Sequence, residues 1–247
     1  MEIELKENEK IEELEINNLK IIQNKKGFCF GMDSVLLSDF AKNIKKESKV
    51  IDLGTGTGIL PILLSAKTKA SKLVGIEIQK DVAEMAQRSI ILNKLEKCIE
   101  IICKDIKDLN EIYERKSFDV VITNPPYKKI GTGVINSNKN KLISRHEITA
   151  NLEDFIEISS YLLKDFGEFY MVNRPERLID TISSLKKYHI EPKEIKFVQP
   201  NTNSAPNIFL VKAIKNAKPF LKITKPIYVY KEKNLYSDEI LEIYGKK

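Results

Sequence analysis

Histidine and cysteine are scarce: two and three residues in a chain of 247. The cysteines (Cys29, Cys98 and Cys103) are odd in number and have no metal-ligand spacing, so no metal site is expected. They read as the reduced thiols of a cytoplasmic protein. No apolar run nears the roughly 18 residues of a bilayer span. The acidic start MEIELKENEK does not read as a signal peptide. The expectation is a cytoplasmic chain without a membrane partner, monomeric by default. Repeats, low-complexity tracts and Pro/Ser linkers are also missing, which points to one domain, with at most a small appendage. What is present is 42% apolar and 31% charged residues, the composition of an ordered globular chain.

The net charge of +6 is unevenly spread. Residues 1–15 hold seven Glu and two Lys, residues 128–145 five basic side chains and no acid, and residues 186–233 eleven Lys and three Glu. Segregated positive charge suits a polyanion, because lysines beside phosphates release condensed counterions. A lysine-rich, AT-biased genome would give the same counts, so charge alone selects no partner.

Hydrophobic runs alternate in type along the chain. KVIDL (49–53), KLVGIEI (72–78), IEIIC (99–103), FDVVIT (118–123) and GEFYMVN (167–173) read as buried strands. Helices are expected over 59–69, 81–93, 151–164 and 174–188, the last with Pro175 in its first turn. Alternation of this kind gives a parallel sheet covered on both faces. Strands near 194–199 and 207–214 are joined too closely for a crossover helix and should pair antiparallel, with a short helix near 237–244. Ahead of residue 49, LKIIQNKKGFCF reads as a hairpin turning over Asn24–Gly27, with Asp33 and Ser34 capping a helix over VLLSDFAKN.

Chemistry concentrates at the strand ends. After the first core strand comes Asp52-Leu53-Gly54-Thr55-Gly56-Thr57-Gly58. Gly54 permits a tight turn, Gly56 lets the backbone approach a ligand, and Gly58 brings helix and strand together. A dinucleotide fingerprint needs a third glycine where Ile59 stands, which disfavours a nicotinamide enzyme. An acid beside the turn suits a ligand with a positive ammonium group. Glu77, 19 residues after Gly58 and followed by Ile78, can accept both hydroxyls of a ribose. Asp105 can accept from an adenine amino group, with Ile106 offering its backbone N–H. Singly, each acid is an ordinary loop carboxylate. Together, at successive strand ends, they describe a pocket for an adenosine with a cationic amino-acid tail, which is S-adenosylmethionine.

Asn124-Pro125-Pro126-Tyr127 follows the fourth strand. The prolines fix the backbone. The Asn124 carboxamide and the Pro125 carbonyl can hold both N–H bonds of a conjugated amine and draw its nitrogen toward tetrahedral geometry. The Tyr127 ring can stack on an unstacked base, worth roughly 1–3 kcal/mol. The work is alignment and polarity, with no strong base required. A plain Pro-Pro turn is the bland alternative.

These motifs resemble, in order and spacing, the class I S-adenosylmethionine-dependent methyltransferases that act on adenine N6, guanine N2 or a glutamine amide. Residues 28–37 (FCFGMDSVLL) resemble an upstream motif of that family covering the methionine end of the cofactor. GMDSVLL (31–37), RHEI (145–148), NRPERL (173–178) and PIYVYKEKNLYSDEILEIYG (226–245) are similar to the bacterial tRNA(Val) adenine-N6 methyltransferase group, which modifies the adenosine just 3′ of the anticodon. The resemblance implies an α/β, Rossmann-like fold with a seven-stranded, mostly parallel sheet of order 3-2-1-4-5-7-6. It implies an N-terminal hairpin-and-helix extension (1–48) over the cofactor site of a methyltransferase domain (49–247). It assigns catalysis to Asn124, Pro125, Pro126 and Tyr127. It assigns cofactor binding to Phe28, Asp33, Asp52, Gly54, Thr55, Gly56, Gly58, Glu77, Ile78, Asp105, Ile106 and Asn124. Lys128, Lys129, Arg145, His146 and Arg174 are the expected RNA contacts, with phosphate contacts positioning the substrate. Arg145 and His146 could equally form a local pair and cap with Glu147. Arg174 and Arg177 could instead pair with Glu176 and Asp180. Glutamine methylation of a release factor and guanine-N2 methylation of rRNA are the alternative activities. Glutamine enzymes usually carry an extra N-terminal helical domain, which the 48 residues ahead of the core do not resemble. A non-catalytic RNA-binding module is the third possibility.

Overall fold

The computed structural model describes residues 3–25, 31–127, 150–233 and 235–246. Two strands open the chain, β1 (Glu9–Glu13) and β2 (Lys20–Asn24), followed by α1 (Met32–Phe40). Then come β3 (Lys49–Leu53), α2 (Ile59–Lys67), β4 (Lys72–Glu77), α3 (Lys80–Leu92), β5 (Ile99–Cys103) and β6 (Phe118–Thr123). The remainder runs α4 (Leu152–Leu162), β7 (Leu163–Asn173), α5 (Leu178–Lys187), β8 (Ile190–Gln199), β9 (Ile208–Lys215), β10 (Lys222–Ile223), β11 (Ile227–Tyr228), β12 (Tyr230–Glu232), β13 (Leu235–Tyr236) and α6 (Asp238–Ile243).

Seven strands lie in the order β5-β4-β3-β6-β7-β9-β8, the expected 3-2-1-4-5-7-6. Among the described residues the sheet has nine strands rather than seven, because β10 and β11 both add to β8 in parallel. β9 runs antiparallel between β7 and β8, as the short 199–207 connection requires. Alternation along each strand divides the core. Val50, Val120, Tyr170 and Leu210 face α1, α2 and α6. Ile51, Val121, Phe169 and Val211 face α4 and α5. The parallel strands therefore end on one edge, where Leu53 and Thr123 are register partners, as are Glu77 and Cys103.

β2 pairs backward with β1, Ile11 opposite Ile22, a hairpin not expected from the sequence. The strand expected beyond the Asn24–Gly27 turn falls on residues 26–30, outside the described set. Glutamates hide β1 in the sequence, yet Glu9 is buried because Arg88 of α3 meets it with both guanidinium nitrogens, at 2.5 and 2.7 Å. The edge of β2 is covered by α3. Ser89 Oγ accepts from Ile22 N (3.0 Å), and Asn93 exchanges two bonds with Lys20. Asn93 thus serves as a backbone clip.

Arg88→Ala should cost about 3 kcal/mol, because it strips the buried Glu9 carboxylate of its guanidinium partner and leaves it the Lys6 N–H at 2.8 Å. Arg88 holds the Glu9 carboxyl below its ordinary value of 4.5. The contribution is therefore present above pH 4.5 and lost as pH falls through the lowered value. Urea denaturation of both proteins at pH 7 checks it; unchanged stability would refute the role given to the Arg88–Glu9 pair.

Candidate active site

The glycine turn begins where β3 ends. Gly54, Gly56 and Gly58 have φ of +74°, +57° and +82°, a left-handed run that L side chains rarely adopt. Thr55 N donates to Ile76 O (2.8 Å), which presses the turn onto β4. That approach needs Gly75, where a Cβ would lie 2.8 Å from Ile101 and 2.9 Å from Thr55. Gly75 went unassigned in the sequence; a glycine inside a strand is the signal that could have found it. Gly58 has a neighbour beyond the strand expected. A Cβ there would meet Ala86 of α3 at 3.4 Å and Ile101 of β5 at 3.8 Å, so it admits α3 as well as the strand beneath.

Glu77, 6% exposed, ties the turn to β4. One carboxylate oxygen accepts from Gly56 N (3.0 Å) and the other from Gln79 N (2.9 Å). Each oxygen keeps a lone pair for a further donor. Next to it Ile78 is 45% exposed, an apolar surface at the crevice. Asp105 accepts from Lys107 N (3.0 Å) and begins the 3-10 turn Ile106–Glu111, with Ile106 buried beneath.

Asp52 is 1% exposed, and neither of its carboxylate oxygens has a hydrogen-bond partner. The buried Thr55 hydroxyl likewise makes no hydrogen bond of good geometry. Burial pushes the Asp52 carboxyl up to about 7; the neighbouring Thr55 hydroxyl works against the rise and the Glu77 charge adds to it. A Cβ on Gly56 would meet nothing within 4 Å. An orphaned acid, open space over the turn and a carboxylate with spare lone pairs fit a nucleoside carrying a cationic tail. Asp52 would face the cation and Glu77 the ribose.

Asn124 to Tyr127 continue from β6, which is locked to β3 by Thr123 Oγ1 donating to Leu53 O (2.8 Å). Pro125 is buried and Pro126 exposed. Asn124 Nδ2 donates to Ser34 Oγ (3.1 Å). The Tyr127 phenol proton is shared between the Asp33 carboxylate and Asn124 Oδ1, the latter at 2.9 Å. Burial and the Asp33 charge push the Tyr127 hydroxyl well above its ordinary value, so it stays protonated and is no general base. Asp33 and Ser34 do not cap α1. The helix starts at Met32 after Gly31 with no side-chain cap bond, and both residues sit in the first turn, facing the tetrapeptide.

Arg174 does not stand free at the edge. Its guanidinium lies 4.6 Å from the Tyr127 ring centroid, 3.7 Å from the Asp33 carboxylate, and donates to Asn207 O (2.9 Å). Arg177 pairs with Asp180 at 3.2 Å. Asn201 accepts from Asn203 N and the Ser204 hydroxyl, ordinary turn chemistry. Phe28, Lys128, Lys129, Arg145 and His146 lie outside the described residues. Among the described residues there is no cluster of metal-ligating side chains, and no helix is long and apolar enough to cross a membrane.

The chain is similar to several known proteins. A tRNA1(Val) (adenine(37)-N6)-methyltransferase of Porphyromonas gingivalis is 30% identical over 155 residues, 61% of this chain and 60% of the relative. One from Bacteroides fragilis is 28% identical over 142 residues, 58% of each. The chain thus spans about three fifths of these two relatives. A third, from Tolumonas auensis, is 23% identical over 227 residues, 90% of this chain and 91% of the relative. Among solved structures, a predicted O-methyltransferase from Agrobacterium tumefaciens superposes with TM-score 0.69 at 21% identity, covering 87% of this chain and 96% of that one. Methanocaldococcus jannaschii Trm5 in complex with adenosine gives 0.63 at 18%, covering 85% and 57%. These likenesses show a class I methyltransferase fold. The family model described as the methyltransferase small domain matches residues 25–190, the stretch that holds the glycine turn, Glu77, Asp105 and the Asn-Pro-Pro-Tyr corner. The chain belongs to the methyltransferase small domain family.

Proposed function

We propose that the protein transfers a methyl group from S-adenosylmethionine to the exocyclic N6 amine of an adenine in tRNA, acting in the cytoplasm. The observation that carries this reading is the pairing of the Asn124 corner with the glycine turn at adjacent strand ends, Thr123 bonded to Leu53. The relatives named as tRNA1(Val) (adenine(37)-N6)-methyltransferases support an anticodon-loop adenine of tRNA(Val) as the target. The bound cofactor supplies an electrophilic methyl group on a sulfonium. The chain supplies alignment. Asn124 Oδ1 and the Pro125 carbonyl accept the two N–H bonds of the amine, which points its lone pair outward. Asp52 holds the ammonium group and Glu77 the ribose; Ile78 flanks the adenine of the donor, Asp105 accepts from its amino group and the Ile106 backbone N–H donates to its ring. Tyr127 offers a ring face to the target base, and Arg174 a cation beside it. The test is incubation with radiolabelled donor and unmodified tRNA, followed by nucleoside mapping. The expected product is N6-methyladenine; label in guanine, or in a protein glutamine, would overturn the reading.

Lys128 and Lys129 adjoin Tyr127 and are the proposed phosphate contacts, with Arg145 and His146 further along the basic segment. Replacing both lysines with alanine should reduce the slope of log K against log salt by about 1–2 for tRNA binding. Filter binding from 50 to 200 mM salt measures it. An unchanged slope would move the RNA path elsewhere.

A further inference from the structure

Ser34 is a buried hydroxyl, 4% exposed, in an otherwise apolar helical stretch with Val35, Leu36 and Leu37. Burying a hydroxyl costs free energy unless it is paired. Among the described residues, Asn124, 90 residues away, donates from Nδ2 to Ser34 Oγ at 3.1 Å. The opposite end of the same carboxamide, Oδ1, receives the Tyr127 hydroxyl at 2.9 Å. Tyr127 is itself held by the Asp33 carboxylate, one residue before Ser34, and by the Arg174 guanidinium over its ring.

The terminal torsion of an asparagine is soft, because a planar amide on an sp³ carbon has broad minima. One anchor leaves the plane free to swing. Two anchors on opposite ends fix it. We propose that Ser34 is a positioning residue: with Tyr127 it sets the plane of the Asn124 carboxamide, so that the second lone pair of Oδ1 is aimed at the amine to be methylated. Ser34 touches neither amine nor donor in this role and acts only through Asn124. The inference rests on the proposed role of Asn124 and adds the residue that orients it. The first turn of α1, not its cap, meets the Asn124 corner.

A double-mutant cycle tests this with Ser34→Ala, Asn124→Ala and the double variant, using unmodified tRNA transcript. Calorimetry with S-adenosylhomocysteine and thermal unfolding accompany each variant. Ser34→Ala should lower kcat about tenfold, the worth of one net hydrogen bond, with the S-adenosylhomocysteine Kd unchanged within twofold. In the Asn124→Ala background the same replacement should change kcat by less than about twofold, because the group it orients is gone. A merely structural serine would slow both backgrounds alike. If Asn124→Ala is slow but Ser34→Ala turns over like wild type, or slows both backgrounds equally, the Ser34 inference alone is overturned. If Asn124→Ala itself keeps full kcat, the role of Asn124 fails, and this inference with it.

Discussion

Replacing Asn124 with alanine should lower turnover by about 10²–10³-fold, the effect of removing one preorganised polar partner of a developing charge. Donor affinity should stay within a few-fold, because the carboxamide is bonded to Ser34 and Tyr127 and the proposed donor contacts come from β3, β4 and β5. The nitrogen of a conjugated amine is a poor nucleophile until its N–H bonds are held out of plane. The loss should therefore appear in kcat, not in the KM for tRNA. Single-turnover kinetics with saturating donor and tRNA separate the two. A variant with intact kcat and a raised KM would reduce Asn124 to a binding residue.

The second large effect concerns Asp52. Its folded-state carboxyl titrates near 7 against an ordinary 3.8, so the folded protein without donor binds the extra proton between these values. Stability from this group is then fullest below about pH 4 and is lost as pH rises through 7. Ionised at pH 8, the buried acid costs the unliganded fold about 4 kcal/mol. Asp52→Asn removes the charge but keeps a buried amide, so the unliganded variant should be about 2 kcal/mol more stable than wild type at pH 8. Its stability should change little between pH 5 and 8, where that of wild type falls. Donor affinity should move the opposite way. Without a counter-charge for the ammonium, Kd should rise about 100-fold, and wild-type binding should weaken below pH 7 as Asp52 takes up its proton. Calorimetry and denaturation at pH 6 and 8 read both. Equal donor affinity in Asp52→Asn would place the ammonium elsewhere.

Much of the frame was legible in the sequence because its signals are local. KVIDL before a glycine run, and VVIT before Asn-Pro-Pro-Tyr, announce strand ends whatever surrounds them. The antiparallel β8–β9 pair followed from a connection too short for a helix. The missed features depend on partners distant in sequence. β1 reads as an acidic run until Arg88 is seen across from Glu9. The strands β10 and β11 are two residues each, below any periodicity. Ser34 looks like a cap because serine near a helix start usually is one; its true partner is 90 residues on. Arg174 reads as an RNA contact, or as a partner of Glu176 and Asp180, because nothing in NRPERL foretells a tyrosine ring lying 4.6 Å from its guanidinium.

The most direct measurement is a crystal structure with S-adenosylmethionine bound. The ammonium group is expected beside Asp52, the ribose hydroxyls on Glu77, and the sulfur-bound methyl opening toward the Asn124 carboxamide. A sulfonium turned away from Asn124, or a donor lodged outside the crevice of β3, β4 and β6, would contradict this placement.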